Sequence, residues 1–320
     1  MTSYVDAIRR ALHDEMSRDE RVFLIGEDIG HFGGAFKATK GLLERFGPQR
    51  VVDTPIAESL IIGTSIGAAI RGRRPVAEMQ FADFVSCGFS QLVNNAATFH
   101  YRLGVSVPMV VRLPAGGGLG AGPFHSKNPE GWFGQAPGLK IVAPTTVEDA
   151  YGLLIQAIRD PDPVLYLEQK YLYRRSRGEI GGEGAPIGRA AVRRPGRDLS
   201  LVSYGNGVGL CMEAATGLAE EGIEAEVLDL RSLVPWDWET VARSVGKTHR
   251  GLVVSEASRF GGVAAEVAAS LNELVFEHLD APVRRVCFPD VPVPAAPALE
   301  NALRPDASRI ISEARELLAW

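Results

Sequence analysis

Cysteine is scarce in this chain: Cys87, Cys211 and Cys287 stand far apart among 320 residues. Three scattered thiols make neither a disulfide framework nor a Cys-x-x-Cys metal site, and they suit a reducing compartment. Long apolar runs are missing too, and none could span a bilayer. Met1 to Glu20 is charged and amphipathic, without the apolar core of a signal peptide, so neither a signal nor a transit peptide is expected. An excess of one charge is also lacking. Net charge is −5 with both signs interspersed, which advertises neither nucleic acid nor a membrane surface. With 46% apolar residues, the chain can bury a large core and is not disordered. Its length suggests roughly two domains. The expected setting is the cytoplasm.

Intact nucleotide fingerprints are absent. Gly205-Asn206-Gly207-Val208-Gly209 follows a strand and opens a helix, but its spacing is not G-x-G-x-x-G. Gly246-Lys247-Thr248 lacks the upstream glycine of a phosphate loop. Both read as turns. Gly63-Thr64-Ser65-Ile66-Gly67 matches the G-x-S-x-G nucleophile elbow, which needs a strand before its serine. Here Pro55 and Glu58 precede it. The segment reads instead as a helix packing closely through Gly63 and Gly67.

What is present is an alternation of strands and helices. Apolar spacing predicts a helix over residues 4–16, strands at 22–25, 50–53, 75–81 and 108–113, and one long helix over 84–103. Residues 114–126 hold too many glycines for regular structure and read as a loop with close backbone approach. A strand at 140–143, a helix at 147–158 and a strand at 164–167 follow. Residues 172–198 are rich in Gly and Arg and read as an interdomain linker. A second series then runs through strands at 199–204, 225–230, 251–254 and 283–287. Its helices lie at 209–221, 237–245, 262–276 and 306–318, with residues 289–297 extended and Pro-rich. The pattern is α/β with mainly parallel sheets.

The organising stretch is Asp53 to Gly67. Glu58 is a single acid among Ile56, Ala57, Leu60, Ile61 and Ile62. Thr54-Pro55 reads as a helix start, a capping hydroxyl and then a residue with no N–H to satisfy. So apolar a helix should be covered, and its acid then needs a strong partner or a proton. Alternatively the acid simply faces the helix N-terminus as its counter-charge. His125 ends the glycine-rich loop beyond a strand's C-terminal end, and reads either as a proton donor or as a surface residue. Asp160-Pro161-Asp162-Pro163 follows a helix end with unpaired carbonyls, a place for a cation or an ordinary turn.

Five segments then point to a family. They are Gly26-Glu27-Asp28, Asp53-Thr54-Pro55-Ile56-Ala57-Glu58, Gln80-Phe81-Ala82-Asp83-Phe84, His125-Ser126-Lys127-Asn128-Pro129-Glu130, and Asp229-Leu230-Arg231-Ser232-Leu233-Val234-Pro235-Trp236-Asp237. In this order and at these intervals they resemble the beta subunits of thiamine-diphosphate-dependent 2-oxoacid dehydrogenases. That family includes the pyruvate, branched-chain 2-oxoacid and acetoin enzymes. The resemblance implies a pyrimidine-binding domain over residues 1–185 and a transketolase C-terminal-like domain over 186–320. It implies an α2β2 heterotetramer in which the alpha subunit holds the diphosphate and its Mg2+ through a Gly-Asp-Gly segment, which this chain lacks. It implies that Glu58 hydrogen-bonds the aminopyrimidine ring, with Ile56, Gln80 and Phe84 around it, and that His125 assists acyl transfer to a lipoyl acyltransferase. Met109, Ala157, Ile158, Asp160 and Asp162 match the family's potassium site. Ser59-Leu60 and Lys127-Asn128 depart from the usual pattern. An acetoin dehydrogenase beta subunit, or a self-sufficient transketolase-type enzyme, is the alternative.

Overall fold

Short, mostly apolar runs become the strands of two mainly parallel sheets. The computed structural model describes residues 1–182 and 184–320. The chain divides into two units, Met1–Ala115 with Phe133–Ile187, and Gly116–Trp132 with Gly188–Trp320. The glycine-rich loop, early in the sequence, thus groups with the second unit.

In the first unit, Val22–Gly26 lies between Val51–Asp53 on one side and Arg74–Glu78 on the other. Val110–Ala115, Val164–Gln169 and Lys140–Val142 continue the parallel sheet beyond Arg74–Glu78. After the first strand the chain steps one way to Val51–Asp53, then back across to Arg74–Glu78. That reversal makes a topological switch point, where open α/β sheets bind ligands beyond the carboxyl ends of the strands. The helices Tyr4–Arg18 and Val147–Arg159 cover a core of Tyr4, Ile8, Leu12, Leu24, Val110 and Leu153. Ser3 and Thr146 cap them by accepting from Asp6 and Asp149 backbone N–H groups.

The second unit repeats the wiring. Leu199–Ser203 lies between Ala225–Asp229 and Gly251–Ser258, and Arg284–Phe288 pairs parallel beyond the latter. Ala191–Arg194 adds an antiparallel edge. The stretch read as a linker therefore contributes this strand, and also Arg177–Gly178, which pairs with Thr2–Ser3.

Several expectations need correction. The helix at the organising stretch begins at Glu58, not at Pro55, and spans Glu58–Ile70 with Ala57 as its cap residue and no side-chain cap. The Thr54 hydroxyl is buried with no hydrogen-bond partner. This helix is not covered all round by its own chain. Ile61, Ile62, Ser65, Ile66 and Ala69 are buried, while Leu60 is 59% exposed and Ile56, just before the helix, 82% exposed. Among the described residues nothing lies within 4 Å of a Cβ built on Gly63 or Gly67, so the close packing expected there is not made by them. Hydrophobicity counts every side of a helix, and here only one side meets its own sheet. Ser65 sits mid-helix, buried, donating to the Ile61 carbonyl at 2.8 Å. That geometry rules out a nucleophile elbow.

The long helix expected over 84–103 is a succession: a 3-10 turn Ala82–Gly88, a π-helical turn Gln91–Ala96 and an α-helix Ala97–Leu103. A Cβ on Gly88 would lie 2.7 Å from Ile62. This close crossing with the Glu58–Ile70 helix accompanies the departure from α-helical winding. The Pro-rich stretch ends in a further helix, Pro297–Leu303, with Pro297 in its first turn.

Candidate functional site

The carboxyl ends of the central strands in the first unit carry acids. Glu27 and Asp28 follow Val22–Gly26, and Gln80 follows Arg74–Glu78. Gln80 Nε2 donates to Asp28 Oδ2 at 3.0 Å across the switch point. Asp28 holds a left-handed backbone, φ 56°. Asp53, ending the neighbouring strand, accepts from the Gly30 backbone N–H at 2.7 Å. A side chain at position 30 would strike that carboxylate, since its Cβ would lie 2.2 Å from Asp53 Oδ2.

Glu58 opens its helix and is half-buried. Phe84 lies in the Ala82–Gly88 turn that packs on this helix, its ring edge-on to Phe81 at 5.9 Å. Ile56 projects into solvent beside the acid. Glu58, Ile56, Gln80 and Phe84 all lie in the first unit. His125 is in the second unit, half-buried, its N–H donating to the Gly122 carbonyl at 3.3 Å.

Glu27 is the residue whose role the sequence reading missed. It is 6% exposed, and it stands close enough to the start of the Glu58 helix for the Ala57 backbone N–H and the Glu58 charge to act on its carboxyl. Burial pushes its pKa up, and the charge of Glu58 adds to the rise. Its Oε1 has no hydrogen-bond partner. The only local signal was an acid directly after a buried strand.

The second switch point lies between Leu199–Ser203 and Gly251–Ser258. Tyr204, just past the first strand, donates its hydroxyl to Glu130 Oε1 at 2.6 Å and lies 2.8 Å from Ser255 Oγ. Glu256 Oε1 accepts from Asn206 and from Arg304. Burial pushes Glu130 up from 4.5 to about 6, against the opposing Tyr204 hydrogen bond. At pH below 4.5 the acid is protonated folded or unfolded, and it costs nothing. Between 4.5 and about 6 the unfolded chain ionises first, so folding loses about 2 kcal/mol, fully lost above about 6. Glu130→Gln removes this slope. Urea denaturation of both chains from pH 4.5 to 7 checks it, and parallel stability curves would contradict it.

The residues matching the potassium site are also placed. Met109 precedes the strand Val110–Ala115, and its carbonyl accepts from Val164 N–H at 3.0 Å. Ala157 and Ile158 lie in the last turn of Val147–Arg159, and Asp160 follows as its cap. The carbonyls of Ile158 and Asp160 converge on Arg74 Nη1 at 2.7 and 3.1 Å. The carboxylates of Asp160 and Asp162 are engaged by Lys140 at 2.7 and 3.4 Å, and Asp162 also meets His100 at 2.6 Å. Among the described residues no group of three or more His, Cys, Asp or Glu is arranged to hold a metal ion. Any cation here would be held through backbone carbonyls.

Both units are transketolase-like domains. Residues 1–176 match the transketolase pyrimidine-binding domain and residues 188–310 the transketolase C-terminal domain. A split-gene transketolase, solved as an inactive beta4 tetramer, superposes with a TM-score of 0.79 over 99% of this chain and 98% of its own, at 21% identity; that likeness concerns the fold. The sequence is closer to others. It is 46% identical to the 2-oxoisovalerate dehydrogenase subunit beta of Bacillus subtilis over 98% of each chain. It is 44% identical to the pyruvate dehydrogenase E1 component subunit beta of Acholeplasma laidlawii, over 98% of this chain and 97% of that one. A mitochondrial pyruvate dehydrogenase E1 component subunit beta-1 of Arabidopsis thaliana is also 44% identical, covering 96% of this chain and 86% of its own. The chain belongs to the beta subunits of the thiamine-diphosphate-dependent 2-oxoacid dehydrogenases. It is part of an oxidoreductase acting on 2-oxo acids, and these relatives favour that reading over an acetoin dehydrogenase or a self-sufficient transketolase.

Proposed function

We propose that this chain supplies the aminopyrimidine half of a shared active site, with Glu58 as its acid. The carrying observation is the half-buried Glu58 at a helix start, beside exposed Ile56 and against the turn holding Phe84. A carboxyl group, an apolar side chain and an aromatic ring are what an aminopyrimidine needs for one ring hydrogen bond and packing on its faces. Bound thiamine diphosphate supplies the electron sink for decarboxylation. The chain's own part is to hold a hydrogen bond at the ring nitrogen through Glu58, keep it away from water with Ile56 and Phe84, and place Gln80 nearby. The diphosphate and its Mg2+ fall to an alpha subunit, because this chain has no Gly-Asp-Gly segment. The same companion covers Ile56 and Leu60 in an α2β2 assembly. Exposed apolar side chains around a catalytic acid support a partner there.

His125 acts in the second half of the reaction, transfer of the acyl group to a lipoyl arm of an acyltransferase. Reconstitution with the alpha chain tests both halves. Decarboxylation appears only in the mixture, and His125→Ala lowers lipoyl acylation about tenfold more than decarboxylation with an artificial electron acceptor. Equal losses in the two assays would remove His125 from the transfer step, and cofactor-dependent turnover by the lone chain would remove the shared site.

Potassium is proposed at the carbonyls of Met109, Ala157, Ile158, Asp160 and Asp162. Two of them accept from the Arg74 guanidinium, so potassium would have to share or displace that contact. Exchanging sodium for potassium then raises the melting temperature, and identical curves in the two salts would count against the site. No described helix is long and apolar enough to cross a membrane. Three free cysteines support a cytoplasmic location, which fractionation of the source cells tests.

A further inference from the structure

The helix Pro297–Leu303 carries an acid that the chemistry described so far does not use. Glu300 is 1% exposed, and a buried carboxylate is costly unless its oxygens receive hydrogen bonds. Both oxygens serve the glycine-rich loop. Oε1 accepts from the Gly118 backbone N–H at 2.6 Å and Oε2 from that of Gly120 at 2.9 Å. Gly118 and Gly120 have φ of +85° and +67°, conformations that turn backbone N–H groups inward to form a cradle for an anion. Gly117 must lack a side chain as well, since its Cβ would lie 2.5 Å from Glu300 Oε1.

The loop continues from this cradle to His125. Gly122 packs on Ala295, just before the same helix, where a Cβ would lie 3.3 Å from the Ala295 side chain. Its carbonyl accepts from His125 N–H. On the far side, Gly116 N–H donates to the Lys127 carbonyl at 3.1 Å, and Asn128 Nδ2 to the Glu256 carbonyl at 3.2 Å. The segment is pinned on both flanks, with His125 and the exposed Phe124 at its crest. All of these contacts lie within the second unit.

We propose that Glu300 is a positioning residue for His125: its carboxylate holds Gly118 and Gly120 and so sets where the imidazole stands. The inference rests on the reading of His125 as the group assisting acyl transfer. A glycine-rich segment has many conformations to lose, and an internal anion that gathers two of its N–H groups removes most of that freedom before substrate arrives.

The test uses the enzyme assembled with its alpha subunit and loaded with cofactor. Glu300→Gln keeps the size but offers an N–H where Gly120 needs an acceptor. Gly117→Ala attacks the same contact from the loop and leaves the helix sequence untouched. In both variants, amide exchange of peptides covering residues 116–122 accelerates about tenfold, the loss of one charge-assisted hydrogen bond. Lipoyl acylation falls about tenfold more than decarboxylation measured with an artificial electron acceptor. A residue that served only to hold the fold would depress both rates together. Unchanged exchange in both variants overturns the clamp. Faster exchange with equal effects on the two rates overturns the positioning of His125. His125→Ala is the control: if it spares acylation, the reading of His125 has failed, while the exchange data still decide whether Glu300 holds the loop.

Discussion

Glu58→Gln leaves folding and assembly intact and lowers decarboxylation roughly a thousandfold. The side chain is half-buried at the first position of its helix, and the substitution preserves its size, so packing has little to lose. What it loses, on the role proposed for Glu58, is the proton chemistry at the ring nitrogen. A carboxyl group can carry or give up a proton there, whereas a carboxamide cannot exchange one at comparable cost. Glu27 sharpens the argument. Its rise in pKa comes first from burial and then from the charge of Glu58, so removing that charge relieves Glu27. Single-turnover decarboxylation of the assembled enzyme, with cofactor affinity measured separately, is the check. Turnover within about threefold of the native rate would take Glu58 out of the chemistry.

The second large effect concerns stability. Arg112→Met destabilises the first unit by about 3–5 kcal/mol at neutral pH. Arg112 is 1% exposed in the strand Val110–Ala115. It donates to Glu168 through Nε at 2.6 Å and Nη2 at 2.8 Å, and to Glu78 through Nη1. Tyr173 adds a hydrogen bond to Glu168 at 2.6 Å. Burial alone would lower the guanidinium pKa, but Glu168 and Glu78 more than offset it and the shift is upward. Without the arginine two acids remain in the core with no cation between them. Burial already pushes Glu78 upward even with Arg112 beside it, so the variant recovers part of its deficit in acid, where the carboxyls can protonate. Arg112→Lys does not restore stability, because an ammonium cannot reproduce the forked contact with Glu168. Urea unfolding at pH 5 and 7 gives the answer; a loss below about 1 kcal/mol would mean the triad contributes little.

How much of this was legible beforehand depends on how far apart the partners lie. Strands such as Val22–Gly26 and Leu199–Ser203 were readable because each is a short, mostly apolar run with a glycine at its end or two residues beyond it. The five segments that carry the family resemblance were readable because each is contiguous. The start of the Glu58 helix was misread. Thr54-Pro55 is a sound local cap, but the helix opens only after Ala57, whose own backbone is not helical. Glu300 was invisible because its partners lie 180 and 182 residues away. The helix that carries it was hidden behind prolines, although Pro297 followed by Ala-Leu-Glu-Asn-Ala-Leu is itself a helix start. The triad did leave a trace. Arg112 and Glu168 are each the lone charge of a buried strand, and Glu78 closes a third; such charges imply one another.

The open side of the Glu58–Ile70 helix has a consequence for the economy of the cell. A chain that cannot cover Ile56 and Leu60 by itself meets water with a sticky surface whenever it is made alone. Copies in excess of the companion are candidates for clumping and for disposal. Where the companion covers that surface as proposed, output is governed by whichever of the two chains is scarcer, and matched synthesis protects solubility as much as it serves turnover.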